Sequence, residues 1–487
     1  MRRVTLVTIA GAAATLTGVV IWRVRRAGGG FVHTSVAQRN ARLVTIGART
    51  GARHAAHVVR TAAAPAERRA ALDAEHQLRT AADVTAALGE LKGALMKLGQ
   101  MASYLDESLP EPMRAALAEL QQDAPPMAPE LCAQVVRAEL GDTPERVFAA
   151  WDPVPLAAAS IGQVHRATTR SGLDVAVKVQ YPGVDDAIRA DLVNTDVLFR
   201  VLALLFPGLD PKPLVAELRA RLVEELDYTL EAANQRLFAG WYDQHPFIHV
   251  PAVIDELSTT RVLTTELATG SRFAEVEGWS QTERNEAAEA IFRFVFHGIY
   301  RLHAFNGDPH PGNYLFGGNG RVTFLDFGLV KRYTPDEVAL FEELITAMCI
   351  EHDIPRFRRA LEEHHVLRKS DAITDGDVRS YYGHFYEFVL DDCEIAFTPE
   401  YASETVRQMF DATNPYAHVA KSSNVPPAFV ISQRINLGLH AVLGRLRARA
   451  NWRRIANEIW PFVNGPPSTR LGEAEAEWLE GKTEQAG

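Results

Sequence analysis

Residues 306–328 read NGDPHPGNYLFGGNGRVTFLDFG, and the predicted fold depends on them. Asp308 and Asn313 are five residues apart in a turn-rich segment, and Asp326 directly follows an apolar segment typical of a short buried strand. In such a loop an aspartate can orient an attacking hydroxyl or water, while the asparagine and the later aspartate coordinate a Mg²⁺ ion that bridges phosphates. A Gly- and Pro-rich surface turn is the alternative, and the acidic strand end that follows argues against it.

A lysine on a strand lies upstream of this stretch. In VAVKVQ, residues 175–180, the three valines fall on one strand face and Lys178 falls on the other. The Ser171–Gly172 turn ahead of it indicates a β-hairpin. Such a lysine can reach nucleotide phosphates if a helix carboxylate holds it, and Glu231 is the candidate; an ordinary exposed strand lysine is the alternative.

A run of small residues precedes that hairpin, AAASIGQVH at 157–165. We expect a loop between two strands here, in which backbone amides can approach phosphates. The small residues of this candidate phosphate loop are Ala157, Ala158, Ala159, Ser160 and Gly162. Each of the four pieces is a weak signal alone, but their order along the chain is that of kinases, so together they predict a kinase-type nucleotide fold.

Length and composition limit the function classes. The chain has 487 residues, of which 47% are hydrophobic and 23% charged, values that exclude a wholly disordered or fibrous protein. A net charge of −10 argues against a primary nucleic-acid binder. The cysteines lie far apart without a CxxC pair, which excludes a disulfide scaffold or thiolate zinc site. His297, His303 and His310 lack metallohydrolase spacing such as HExxH, so a metallohydrolase is disfavoured.

Hydrophobic periodicity predicts an α+β protein with a small strand-rich lobe followed by a larger helical lobe. We expect a helical extension at 81–150, the strand-rich lobe with inserted helices at 151–267, and the helical lobe at 268–465. The last segment, 466–487, is predicted to be an acidic disordered tail, because from Gly472 onward it carries five glutamates against one lysine.

The N-terminal segment, residues 1–30, is predicted to be a membrane anchor. Residues 4–22 are uncharged, and a helix of that length spans about 28 Å, close to the hydrocarbon thickness. The arginines after it outnumber those before it, which predicts a single anchor in the cytoplasmic membrane with the catalytic body on the cytoplasmic side. A cleaved signal peptide and a peripheral helix are the alternatives. The basic segment at 31–80 could contact anionic headgroups, form a solvated helix or linker, or form a dimer helix.

From about Ala86 to Leu446 the sequence resembles the UbiB family of atypical kinases, also called the aarF-domain family. The most specific mark is KLGQ at 97–100, which ordinary protein kinases and aminoglycoside kinases lack. AAASIGQVHRA resembles the family's alanine-rich replacement for a glycine-rich loop. EELDYTLEAAN at 224–234 contains the family's ExD element as Glu225 and Asp227.

The resemblance implies a bilobal protein-kinase-like fold with added N-terminal helices. Lys97 and Gln100 would project into the cleft near Glu225 and Asp227. Asp227 and Glu231, four apart, would share a helix face, whereas Glu225 would point elsewhere, so the local geometry must bend or serve two sites. The remaining implied roles are Lys178 paired with Glu231, Asp308 as the catalytic aspartate, Asn313 and Asp326 on Mg²⁺, and Glu266 and Leu267 as the hinge at the adenine of ATP or ADP.

The implied function is a membrane-associated ATPase or small-molecule kinase. Its implied acceptor is a small lipophilic molecule such as a quinone precursor, and its implied partners are anionic lipid and lipid-biosynthesis proteins rather than nucleic acid. A nucleotide-gated scaffold with little turnover is one alternative. A soluble phosphotransferase of the aminoglycoside or choline kinase type is another, since GDPHPGN is similar to its catalytic loop; KLGQ, the ExD element and the apolar N-terminus argue against it. Many bacterial members of the family carry hydrophobic helices at the C-terminus, whereas the long apolar run of this chain is at the N-terminus.

Overall fold

The computed structural model describes residues 127–159, 161–185, 223–307, 310–402, 404, 416–423 and 438–486. The strands are β1 (Ala150–Trp151), β2 (Ala157–Ala159), β3 (Gly162–Thr168), β4 (Asp174–Gln180), β5 (Ile248–His249), β6 (Val262–Glu266), β7 (Ala304–Asn306), β8 (Tyr314–Phe316), β9 (Val322–Phe324), β10 (Val330–Arg332), β11 (Ile395–Ala396) and β12 (Arg449–Ala450).

The α-helices are α1 (Pro129–Leu140), α2 (Pro144–Val147), α3 (Tyr228–Trp241), α4 (Phe273–Val276), α5 (Gln281–Arg301), α6 (Pro335–Ile345), α7 (Ile354–Glu363), α8 (Asp375–Tyr382), α9 (Glu387–Leu390), α10 (Ala417–Ser422), α11 (Trp452–Ile459) and α12 (Arg470–Ala486). Short 3₁₀ turns form at Asp255–Leu257, Pro311–Asn313 and Gly383–Tyr386, and a π-helical turn forms at Thr346–Ile350.

The N-terminal part of the described chain is built on an antiparallel sheet. Strand β3 pairs with β1, β2 and β4, and β4 pairs with β6 on its other side. The predicted β3–β4 hairpin is confirmed, and Gly172 adopts a φ of 89° in its turn, a conformation that glycine adopts without strain. The β4 valines predicted to share one face are fully buried and pack against Val135 and Val136 of α1. This packing leaves Lys178 on the opposite face, toward the rest of the molecule.

The C-terminal part is helical and is organised around α5. Ser280 and Glu283 form a reciprocal capping box that begins the helix. Most of the following turns are buried on every side, with Phe292 and Phe294 fully or almost fully enclosed. A helix that is buried on nearly every side lies at the centre of its domain. The α+β arrangement, strand-rich part first and helical part second, is therefore confirmed.

The prediction of a disordered acidic tail at 466–487 is wrong, because residues 470–486 form α12. Its inner face is buried at Leu471 and Glu475. The Glu475 carboxylate accepts a hydrogen bond from Arg293 Nη1 at 2.7 Å and lies 2.9 Å from His297 Nε2, both on α5. Burial alone favours the neutral acid, but His297, His245 and Arg293 hold the pKa of Glu475 well below its usual value. Burial of Glu475 against Arg293 and His297 of α5 fixes the helix to the rest of the fold, which the local charge count did not anticipate.

Several predicted elements lie outside the described residues. They include the N-terminal anchor at 1–30, the basic segment at 31–80, most of the helical extension at 81–150, and residues 186–222 of the strand-rich lobe, where inserted helices were expected. Within the ranges that the structure does describe, no helix is long and apolar enough to cross a membrane.

Candidate functional site

The centre of the site is an ion pair between β4 and α3. Lys178 Nζ lies 2.8 Å from both carboxylate oxygens of Glu231, so the pairing expected from the sequence is present. Asp326 Oδ2 lies 3.9 Å from the same ammonium group. The side chains of Lys178 and Glu231 are only 17% and 6% exposed, so water screens their attraction weakly. One lysine therefore faces two carboxylates from different parts of the fold.

These charges change one another's protonation. Burial disfavours the charged lysine, but Glu231 and Asp326 outweigh burial and hold the pKa of Lys178 well above its usual value. Burial also disfavours the charged form of Glu231 and, against the attraction of Lys178, raises the pKa of that carboxyl to about 7. The negative charge of Asp326 adds to the second shift. The site thus holds a lysine whose charged form its two carboxylates favour, beside a carboxyl group whose pKa burial raises.

Helix α3 fixes the position of Glu231. Asp227 caps its N-terminus, and the Asp227 carboxylate accepts the backbone N–H of Thr229 at 2.9 Å. Further along, Phe238 packs with ring centroids 5.2 Å from Phe327, the residue that follows Asp326. Asn234 Nδ2 donates to the carbonyl oxygen of Phe327 at 3.1 Å. The helix that carries Glu231 is therefore bound directly to the segment that carries Asp326.

The ExD element differs from the expectation of a shared helix face. Asp227 lies at the cap of α3 rather than inside it, because Ser, Thr, Asp and Asn side chains satisfy the free N–H groups of a first helical turn. Glu225 lies in the turn just before the cap, and its negative charge acts on both Glu231 and Tyr228. The change in chain direction between Glu225 and Glu231 is therefore the start of α3. Lys97 and Gln100 lie outside the described residues, so their approach to this element stays a prediction.

A β-hairpin brings Asn313 and Asp326 together. Asn313 directly precedes β8, Asp326 follows β9 by two residues, and the strands pair with Tyr314 opposite Phe324. The backbone N–H of Leu325 donates to the carbonyl oxygen of Asn313 at 3.0 Å. Two candidate metal ligands therefore lie at the same end of the hairpin. Asp308, the candidate catalytic aspartate, lies outside the described residues.

Asn306 is a site residue that the sequence analysis did not single out, although it begins the quoted stretch. Its Nδ2 donates to the carbonyl oxygen of Asp326 at 2.6 Å. On the other side, Asp326 Oδ1 accepts the backbone N–H of Gly328 at 2.9 Å. These two bonds hold the backbone and the side chain of Asp326 while Oδ2 faces Lys178.

The candidate phosphate loop is shorter than expected. Ala157, Ala158 and Ala159 form β2 and pair with β3, so only residues 160 and 161 separate the two strands along the chain. Alanine repeats are compatible with a strand when a neighbouring strand supplies the hydrogen bonds, which local sequence does not reveal. Ser160 lies outside the described residues.

Gly162 begins β3 where the backbone of β4 approaches closely. A Cβ atom there would lie 2.3 Å from the carbonyl oxygen of Val179 and 3.0 Å from the Tyr228 hydroxyl. We therefore expect Gly162→Ala to lower the free energy of unfolding by about 1–3 kcal/mol, measured by urea denaturation. Gly240→Ala on α3, where a Cβ meets open space, is the matched control and should be neutral or slightly stabilising. Equal effects of the two substitutions would contradict this account of Gly162.

The predicted hinge residues, Glu266 and Leu267, lie at the C-terminal end of β6. The Glu266 N–H donates to the carbonyl oxygen of Ala252 at 2.8 Å, and the Leu267 N–H donates to that of Asp174 at 3.0 Å. Both N–H groups are used within the protein. A base bound at this edge would therefore donate hydrogen bonds to backbone carbonyl oxygens or form hydrogen bonds with residues after 267.

Comparison with known proteins assigns the arrangement to a family. A family model described as the ABC1 atypical kinase-like domain matches residues 119–360. Among solved structures, the complex of Rv3197 with erythromycin from Mycobacterium tuberculosis has a TM-score of 0.58 and 30% sequence identity. That similarity covers 82% of this chain and 100% of the other. The chain belongs to the ABC1 atypical kinase-like family. The predicted UbiB-type family and the kinase-like fold are thereby confirmed.

Two relatives of the ABC1 kinase-like family illustrate the range of the match. The mitochondrial atypical kinase COQ8B of Rattus norvegicus is 35% identical over 259 residues, 53% of this chain and 49% of that protein. The mitochondrial atypical kinase COQ8 of Saccharomyces cerevisiae is 32% identical over 265 residues, 54% of this chain and 53% of that protein. The chain spans about half the length of these relatives.

Proposed function

We propose that this chain is a Mg²⁺-dependent, ATP-binding atypical kinase that hydrolyses ATP or phosphorylates a small lipophilic molecule at a membrane surface. The observation that carries the proposal is Lys178, held between Glu231 and Asp326 with distances of 2.8 and 3.9 Å. Phosphoryl transfer depends mainly on positioning and charge neutralisation, and a fixed buried ammonium supplies both.

The residues present fit Mg²⁺ with a nucleotide. The Asp326 carboxylate and Asn313 offer the oxygen ligands that Mg²⁺ prefers, and they lie at one end of the β8–β9 hairpin. The hydroxyl of Tyr228 is buried and has no hydrogen-bond partner in the described part of the chain. It lies near Gly162, at the end of the candidate phosphate loop. A buried hydroxyl of this kind is expected to find a partner, and a bound phosphate would provide one.

Each group has a distinct role in this proposal. Lys178 binds nucleotide phosphate, and Glu231 orients Lys178. Asp326 and Asn313 hold Mg²⁺, which when bound neutralises charge on the phosphates. Asp308 orients the attacking hydroxyl or water. The backbone of the turn after β2 approaches the phosphates, and the segment after Glu266 contacts the base.

The membrane setting rests on the sequence and on the family. Residues 1–30 are proposed as an anchor in the cytoplasmic membrane, with the catalytic part on the cytoplasmic side. Anionic lipid is the proposed partner of the basic segment at 31–80. A quinone precursor or another isoprenoid lipid is the proposed acceptor, in keeping with the UbiB resemblance, and lipid-biosynthesis proteins are proposed partners.

Steady-state release of phosphate from Mg-ATP by the full chain tests this function. The assay is run with neutral liposomes, with anionic liposomes and without lipid. We expect turnover that requires Mg²⁺ and rises with anionic lipid. Nucleotide binding without turnover in every condition would overturn the enzymatic proposal and favour a nucleotide-gated scaffold. Full activity of a protein that remains entirely in the soluble fraction would favour a soluble small-molecule phosphotransferase.

A further inference from the structure

Helix α12 reaches the helix that carries Glu231. Trp478 of α12 meets Trp241, the last residue of α3, in an edge-on contact with ring centroids 6.2 Å apart. The Trp478 Nε1–H group donates to the carbonyl oxygen of Asp243 at 3.1 Å. Lys482 Nζ lies 4.6 Å from the Trp241 ring centroid and 4.7 Å from that of Trp478, and it also donates to the Trp241 carbonyl oxygen. The C-terminal end of α3 is thus enclosed by side chains of α12.

The first half of α12 is fixed to the centre of the helical part. Glu475 accepts a hydrogen bond from Arg293 of α5, and its other carboxylate oxygen lies 3.1 Å from His245 Nε2. His245 Nδ1 accepts the backbone N–H of Ile248 at 3.0 Å, so Nε2 carries the proton and donates to Glu475. His245 follows α3 by four residues. One carboxylate therefore joins α5, α12 and the chain that leaves α3.

Helix α3 transmits this constraint to the ion pair. Glu231 and Trp241 are ten residues apart on one helix, a separation of about 15 Å along a stiff rod. Lys178 holds the helix near its first end and α12 holds its last residue. We propose that Trp478 and Lys482 are positioning residues that set the orientation of α3 and hence the geometry of the Lys178–Glu231 pair. The positioning of α3 is argued independently of the proposed function. Only the expected effect on ATP binding rests on the proposed nucleotide site.

The first test measures the helix without nucleotide. In the full chain, backbone hydrogen exchange is followed in α3 and α5 for Trp478→Ala and Lys482→Ala. The expected result is faster exchange in residues 228–241, by about tenfold, with little change in α5. Glu480→Ala, an exposed position on α12, is the matched control and should leave both helices unchanged. Unchanged exchange in α3 would overturn the proposal, because α12 would then have no effect on that helix. An equal rise in α3 and α5 would overturn it too, because α12 would then stabilise both helices without distinction.

The second test measures the consequence for ATP. The same variants should raise the KM for ATP about tenfold with a smaller change in kcat at a temperature well below unfolding. Lys482→Arg keeps a cation between the two indoles and should restore most of the wild-type KM. Failure of that rescue would contradict the positioning role, as would unchanged exchange in α3. If the wild-type chain binds no ATP, the proposed function fails, yet the exchange experiment still decides the role of α12.

Discussion

Asp326→Asn is expected to lower Mg²⁺-dependent ATP turnover by about 100-fold or more, the effect of removing one preorganised charge from a phosphoryl-transfer site. The substitution preserves shape, and the amide oxygen can still accept the Gly328 N–H that the carboxylate accepts at 2.9 Å. The negative charge that attracts Mg²⁺ is lost, as is the second carboxylate near Lys178. The fold should therefore persist while the metal site fails.

The measurement is steady-state phosphate release at saturating ATP over a range of Mg²⁺ concentrations. Asp371→Asn, in an exposed loop before α8, changes charge by the same amount and should retain wild-type turnover. Circular dichroism and thermal unfolding monitor the fold of each variant. Turnover of Asp326→Asn within about threefold of wild type, with the same Mg²⁺ dependence, would contradict the assignment of Asp326.

Lys178→Met is expected to abolish measurable ATP binding and to destabilise the chain. The substitution leaves Glu231 buried without its cation, and breaking one side of such a pair typically costs about 3–5 kcal/mol. The cost depends on pH. Burial, opposed by Lys178, already raises the pKa of Glu231 from 4.5 to about 7, and loss of the lysine raises it further. A folded state with the higher pKa binds the proton more tightly, so its stability is greatest at low pH and falls as pH rises through the folded-state pKa.

Urea denaturation between pH 5 and 9 measures this effect. The variant should lose stability steeply with rising pH, and more so than wild type above pH 7. The double variant Lys178→Met/Glu231→Gln removes the titrating group and should recover stability at high pH while still failing to bind ATP. ATP binding by the double variant would show that Lys178 has no part in the nucleotide site. A flat pH profile for Lys178→Met would contradict the buried position of Glu231.

Most residues of the candidate site could be found from sequence because local patterns that are weak singly occur in the order typical of kinases. Lys178 lies on the strand face opposite three buried valines, so alternation alone places it outside the sheet core. Asn313 and Asp326 flank two short apolar segments with a Gly-rich turn between them, and the structure pairs these segments as the β8–β9 hairpin. Pairing across that hairpin brings them together without any long-range contact.

The failed predictions concern a contact between distant segments and the exact start of a helix. The acidic composition of 466–487 predicted disorder, but Glu475 pairs with an arginine 182 residues earlier. Charge counts within one segment cannot detect such a partner. Asp227 was expected on a helix face, whereas the helix begins one residue later. Helix boundaries are uncertain from sequence, and a shift of one residue turns a helix-face residue into a cap.

The most direct test of the central claim is a calorimetric titration of ATP into the full chain, once with Mg²⁺ and once with a chelator. A site built from Lys178, Asp326 and Asn313 predicts saturable one-to-one binding that weakens at least about tenfold when Mg²⁺ is removed. Absence of saturable binding in either condition, or equal affinity in both, would contradict the account of this site as a Mg²⁺–nucleotide centre.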